Sequence, residues 1–502
     1  MKRLCVQILL PLISGIFLCI SVSYAGAETA AAAPLTAESN NPPIVIEALA
    51  TETNAKTVRL FPFDQIPDSA EIRKTISRTW LSAPIESVMA LAAQVYTDSK
   101  GNVFTVSGKY ADDTRGCYVI SIVPQLTDYG ASDMNLVPQG TWMIYRNAAT
   151  GVPVLIKIYP RENPALSIRL RPAVEKASAG KSFMNICLFN AYVCKDIAVG
   201  IPFDMLYGIS LSHLKELTDP IIPWNLFNPP HSYNAVESMS NSIAGRLYQL
   251  VYLKDGGFDH EGKPVYISSS EPQSEFEINA ALNIDQTRAE VIGGVDSAGF
   301  AKWIIDGIIR PVAGQGSVIE SLKLGTDVPK THFTQPVLHQ RNLFFGLDWI
   351  RNLGAAALSL NLKRTVYPAA SGLDVNICPF SLTVSASPVC SGDNHGHSAF
   401  SGYEKYAGYQ TSYLSALFYY LAITEPGHFY LGCINAVAGN PPIRTYNDIA
   451  VFFPYFDLWG AFHLDIYEGG VQVPVEEFME KYQDTYTAVV RVRVPETGLF
   501  NP

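Results

Sequence analysis

The sequence predicts an α+β protein: a β-rich first part, a helical connection, and a second half that mixes helices with strands. Three observations carry that expectation. Before residue 202, apolar residues alternate in short runs such as "TWMIYRNAATGVPVLIKIYP" and "ALSIRLRP", the period-2 pattern of half-buried strands. Between 203 and 265 they recur at helical spacing in "FDMLYGISLSHLKEL" and "NAVESMSNSIAGRLYQLVYL". Beyond 266 a glycine-led turn opens an amphipathic run, and apolar strands return nearer the C-terminus.

The N-terminus reads as a secretion signal over residues 1–27. Lys2 and Arg3 form a short basic start, Ile8 to Val22 an apolar run, and Ala25-Gly26-Ala27 a small-residue site with a cut expected before Glu28. The apolar run is interrupted by Pro11 and is shorter than the roughly 20 residues of a spanning helix. The expected location is therefore outside the cytoplasm, in the periplasm or cell envelope. No later segment is a continuous apolar stretch of spanning length, so no integral membrane segment is expected after cleavage.

Loss of Lys2 and Arg3 takes the formal charge from -10 to -12. That balance disfavours nucleic acid and anionic membrane surfaces, since both are held by basic patches. Cleavage also reduces the cysteines from eight to six. An even number in an oxidising compartment permits disulfides; Cys187 with Cys194, flanking a hairpin, and Cys378 with Cys390, bracketing a loop, are the candidates.

In chain order, residues 28–57 are rich in Ala, Pro, Ser and Asn and are expected to be a disordered leader. Residues 58–202 form the β-rich domain and 203–265 the helical connection, with Asn234 a candidate cap for its second helix. "KDGGFDHEGKPVYI" is expected to be a hairpin, and its Asp259, His260 and Glu261 to be turn residues. A second domain occupies 266–502. The tyrosines of "YEKYAGYQTSYLSALFYYL" suit core or domain contacts better than a sugar-stacking platform.

The stretch most suggestive of chemistry is "GGVDSAGFAKWIIDGIIRPVAGQG", Gly293 to Gly316. It sets Ser297 at the start of a helix, where free N–H groups and a partial positive charge favour a nucleophile and a developing anion. Asp296 or Ser297 also suits a plain helix N-cap. "GHFYLGCINAV" brings a histidine, His428, into a strand, and after the turn "AGNPP" the returning segment sets Asn447, with Asp448 beside it, opposite that strand.

Together these segments resemble the NlpC-type cell-wall peptidases, papain-like enzymes that cut peptidoglycan stem peptides. The matching residues are Gly293, Gly294, Asp296, Ser297, Ala298, Gly299 and Phe300, then Gly307, Ile308, Pro311 and Gln315, with His428 at the strand. The resemblance spans about 284–470. It implies a papain-like C-terminal domain with a large insertion at about 317–420, whose helix "RNLFFGLDWIRNLGAAALSLNL" would form a lid or side wall. It further implies Ser297 as nucleophile, His428 as base, Asn447 as orienter, and Asp296, Gly299 and Gln315 as substrate contacts.

Ser297 stands where the family has cysteine, and a serine hydroxyl stays protonated until its base acts. Three readings follow: a peptidase acting by acyl transfer, a retired site that binds peptidoglycan without cutting, and a structural envelope component. Peptidoglycan or another envelope component is the expected partner. No cofactor is implied. His395 and His397 in "DNHGHS" are two apart, but no second cluster completes a tetrahedral metal set.

Overall fold

The computed structural model describes residues 60–502 apart from 112–115, 127–135, 174–180, 190, 220, 229–234, 285, 327–335, 338–345, 369–370, 380–381, 384–401 and 496–499. The signal sequence, the whole leader, Asn234, Cys390, His395 and His397 lie outside the described residues.

Two short helices, α1 (Ala70–Thr75) and α2 (Ile85–Met89), precede eight strands: β1 (Gln94–Thr97), β2 (Val103–Tyr110), β3 (Cys117–Pro124), β4 (Thr141–Asn147), β5 (Pro153–Tyr159), β6 (Leu166–Pro172), β7 (Ser182–Leu188) and β8 (Ala191–Ala198). Each pairs antiparallel with the next in chain order. Alternation sends Ile120 and Ile122, Trp142 and Ile144, Ile156 and Ile158, and Ile168 and Leu170 to one buried face. There α1 supplies Arg73, which is buried. Its guanidinium lies 3.7 Å from the Trp142 ring and pairs with Asp68 at 2.5 Å, so the charge is not left uncompensated.

The chain continues through α3 (Leu211–Thr218), α4 (Ala235–Ala244), β9 (Leu250–Tyr252), the hairpin β10 (Gly256–Phe258) and β11 (Pro264–Tyr266), α5 (Glu275–Ala280), β12 (Gly293–Val295), α6 (Ser297–Ala313), α7 (Ile319–Leu322) and α8 (Leu347–Leu362). Next come β13 (Leu382–Thr383), which pairs with β8 as a ninth strand of the first sheet, β14 (Tyr403–Glu404), β15 (Gly408–Gln410) and α9 (Leu414–Thr424). The last elements are β16 (His428–Ala438), β17 (Ile443–Phe456), β18 (Phe462–Glu468), β19 (Val471–Val473), α10 (Val475–Lys481) and β20 (Tyr486–Arg493). A seven-stranded antiparallel sheet in the order β14-β15-β20-β16-β17-β18-β19 forms the second body.

One face of this sheet, with Phe429, Leu431, Val451, Phe453 and Val490, packs on α6 and α8. The other, with Tyr430, Phe452 and Ile466, packs on α9 and α10. Helix α9 is apolar all round, as a helix buried on every side must be. It also meets Leu166, Leu188 and Leu226 of the first body, and the Tyr419 hydroxyl donates to the Leu226 carbonyl at 2.7 Å.

This architecture overturns the papain-like α+β expectation. Large antiparallel sheets of nine and seven strands dominate the chain, and the helices are few. Nor is the expected insertion a lid: Trp349, Ile350 and Leu353 of α8 are fully buried against the sheet, and β15 is one of its strands through β20. The local patterns at β16 and α6 were legible. Which distant strands complete the sheet depends on pairing across long separations, which periodicity does not encode.

Candidate functional site

Helix α6 begins where β12 ends. Strand β12 runs parallel to β9, and the chain turns at Asp296, the N-cap, whose Oδ1 accepts the Gly299 N–H at 2.8 Å while Oδ2 lies 3.2 Å from the Asp255 N–H. Burial pushes Asp296 up to about 7, against the pull of those hydrogen bonds. Gly299 serves packing: a Cβ there would collide with the Gly256 carbonyl oxygen of β10.

Ser297 is the first residue of α6 and is buried. Its hydroxyl lies beside the Asp448 carboxyl and favours the ionised form, and Asp448 in turn shares a hydrogen bond with Glu468. The Tyr482 hydroxyl lies 2.7 Å from Glu468 Oε1 and 3.2 Å from Asp448 Oδ2, and Lys481 Nζ donates to Glu468 Oε1 at 2.5 Å. After Glu468 the chain turns through Gly469 at φ 56°, a left-handed conformation suited to glycine. A Cβ at Gly469 would stand 3.6 Å from Ser297 Oγ. The largely exposed Tyr252 ring borders the same turn.

Two half-buried carboxyls in contact cannot both ionise freely. Burial, then the bond to Glu468, pushes Asp448 up to about 6. Burial works to raise Glu468 too, but hydrogen bonds from Asp448, Lys481 and Tyr482 hold it below the usual range. Glu468 Oε2 is buried and has no protein hydrogen-bond donor among the described residues, which fits a proton carried between the two carboxyls.

The residues expected to join Ser297 are placed apart from it. Asp448 is opposite Ile434 on β16, whereas His428 begins that strand opposite Arg493. Six positions separate Ile434 from His428, roughly 20 Å along a strand. His428 Nδ1 instead lies 3.0 Å from the Glu425 carbonyl, and the ring lines a separate cavity of about 260 Å³ with Arg491 and Arg493. Asn447 is exposed and is the extra residue where the β16–β17 register shifts, so it faces neither His428 nor Ser297; its Oδ1 meets Thr445 Oγ1 at 3.4 Å. Gln315 is exposed just past the C-terminal end of α6, about 25 Å from Ser297 at 1.5 Å per residue.

The bulge at Asn447 is the physical reason that Asp448, and not Asn447, reaches the helix. Glu468 and Tyr482 escaped the sequence reading altogether. A carboxyl directly before a Gly-Gly turn was the available signal. The β7–β8 register sets Cys187 opposite Tyr192 and Cys194 opposite Ile186, and both are free thiols; Cys378 is also free. No group of three His, Cys, Asp or Glu able to hold a metal occurs among the described residues, and none of their helices is long and apolar enough to cross a membrane.

Residues 62–226 match the family described as a domain of unknown function (DUF8515), a stretch that takes in the first sheet and α3. Neither curated proteins nor solved structures provide a match for this chain.

Proposed function

We propose that the protein is an exported envelope hydrolase that cleaves amide bonds in peptidoglycan stem peptides, with Ser297 as nucleophile and the Asp448 carboxylate as its base. The observation that carries this reading is the row Ser297, Asp448, Glu468 at the start of α6, in which the serine hydroxyl adjoins the first of two neighbouring carboxyls. A carboxylate here takes the place of an imidazole in the nucleophile, base and orienter arrangement. Asp448 takes the hydroxyl proton as Oγ bonds to the amide carbonyl; the C–N bond then breaks and the amine leaves with that proton. Water attacks the resulting ester, passes its proton through Asp448, and restores the Ser297 hydroxyl. Glu468, held charged by Lys481 and Tyr482, strengthens Asp448 as a base. The substrate class rests on the resemblance of Gly293 to Phe300 to cell-wall peptidases, and the location on the N-terminal signal pattern.

A second reading, a protein that holds wall peptides without cutting them, is favoured by one observation. The Asp296 carboxyl already occupies the Gly299 amide, one of those at the helix start that would stabilise an oxyanion. Incubating the mature protein with peptidoglycan fragments and measuring new amine ends separates the two. Amine release that disappears in Ser297→Ala and Asp448→Asn supports the hydrolase. Fragment binding with no release from the native chain leaves the binding reading standing and removes the hydrolase.

A further inference from the structure

A groove of about 890 Å³ lies on the first body, well separated in sequence from α6 and built wholly within the stretch that matches the uncharacterised family. Its size falls in the range of small-molecule sites. One wall is the end of α1 and the π-helical turn Ser77–Leu81; the other is the 3-10 turn Phe203–Gly208 and the start of α3. A single π turn is a rare conformation that recurs at functional sites.

The charges in this groove are unusual for an acidic chain. Lys74 and Arg78 line it, both exposed, and neither side chain has an ion-pair or hydrogen-bond partner among the described residues. The neighbouring acids are engaged elsewhere. Glu71 accepts from the Ser99 amide and hydroxyl, Asp68 pairs with Arg73, and Asp64 lies 3.5 Å from Lys215. His213 adds a third nitrogen base at the rim, 3.2 Å from Glu216. Asp204 is the acid that lines the groove itself.

Beside these cations the lining is apolar: Ile201, Pro202 and Ile209, with Met205 62% exposed. A flexible exposed methionine suits an adaptable apolar contact. The Tyr207 hydroxyl, buried in the groove wall, has no hydrogen-bond partner among the described residues.

We infer that this groove binds an anionic amphiphile: a carboxylate or phosphate held by Lys74 and Arg78, on an apolar chain laid against Ile201, Pro202 and Met205. Asp204 opposes the anionic head and limits how deeply it sits. The inference is independent of any chemistry at Ser297.

Titration calorimetry on the mature chain tests it, with octanoate and octyl phosphate as separate probes for a fatty carboxylate and a phosphate headgroup, and inorganic phosphate as the head alone. Saturable binding of one or both amphiphiles at one site per chain is expected, weakened about tenfold by Lys74→Ala and again by Arg78→Ala, and tightened a few-fold by Asp204→Asn. These side chains are exposed, so unchanged thermal melts will show that the variants fold. Whichever amphiphile binds more tightly identifies the head group. Three outcomes overturn the inference: no saturable binding of either amphiphile, binding undiminished in the Lys74→Ala/Arg78→Ala double variant, or inorganic phosphate binding as tightly as octyl phosphate.

Discussion

The Ser297 hydroxyl lies beside the Asp448 carboxyl, so the helix start of α6 and the bulged part of β17 meet through these two side chains. His428, at the far end of β16, takes no part in that meeting. If the row is a hydrolytic site, Ser297→Ala and Asp448→Asn each reduce amine release from peptidoglycan fragments by about 100-fold or more, in line with loss of a nucleophile or base. His428→Ala leaves the rate within about twofold of the native chain, as expected of a residue outside the reacting groups. A large loss in His428→Ala alone would reverse the assignment.

The same chemistry has a pH signature. Asp448 acts as a base only when ionised, and burial has pushed it up to about 6. The rate of amine release should therefore rise as pH increases through about 6 and level off above it. A rate that falls over that interval would require a protonated Asp448 and a different mechanism.

Stability should move in the opposite direction at Asp296. Its folded value, raised by burial to about 7, exceeds the ordinary carboxyl value of 3.8. The folded state thus keeps a proton that the unfolded chain releases, and this contribution is full below about pH 4 and is lost as pH rises towards 7. Asn retains the cap acceptor without the charge. Urea titrations of the native chain and Asp296→Asn at pH 4.5 and 7.5 should show the variant gaining on the native chain by about 2–4 kcal/mol between the two. An unchanged difference would mean that Asp296 is ionised throughout.

Packing at Gly299 admits no side chain, because a Cβ would meet the Gly256 carbonyl. Gly299→Ala should cost about 2–4 kcal/mol, since rigid backbone lies on the other side of the contact. Thermal denaturation measures it, and a melting temperature equal to that of the native chain would contradict the close approach of α6 to β10.

Within α6, Lys302 and Asp306 form a fully buried ion pair, and Asp306 Oδ1 also accepts the Ser317 amide at 2.7 Å and its hydroxyl at 2.6 Å. Burial lowers the pKa of Lys302, but Asp306 keeps it paired. Asp306→Ala leaves that ammonium without its counter-charge and should cost about 3–5 kcal/mol. Lys302→Met should cost less, because a methionine fills the same space and Ser317 still holds Asp306 Oδ1, leaving Oδ2 to take up a proton. The order of the two midpoints in urea is the check.

The sequence by itself determined the local elements that hold the site: the glycine approach, the Asp296 cap and the amphipathic α6, each specified by neighbours a few residues away. It also showed the β4–β5 and β10–β11 hairpins, whose turns lie in their own segments. Tertiary structure alone decided the partners. His428 and Asp448 sit on adjacent strands, yet antiparallel register separates them along the sheet, and one extra residue at Asn447 turns Asp448 toward Ser297. Glu468, Tyr482 and Lys481 arrive from β18 and α10. A hydrogen bond between two side chains depends on register and bulges accumulated over many strands, and a pattern read along one segment carries none of that information. The order of the two sheets was hidden for the same reason.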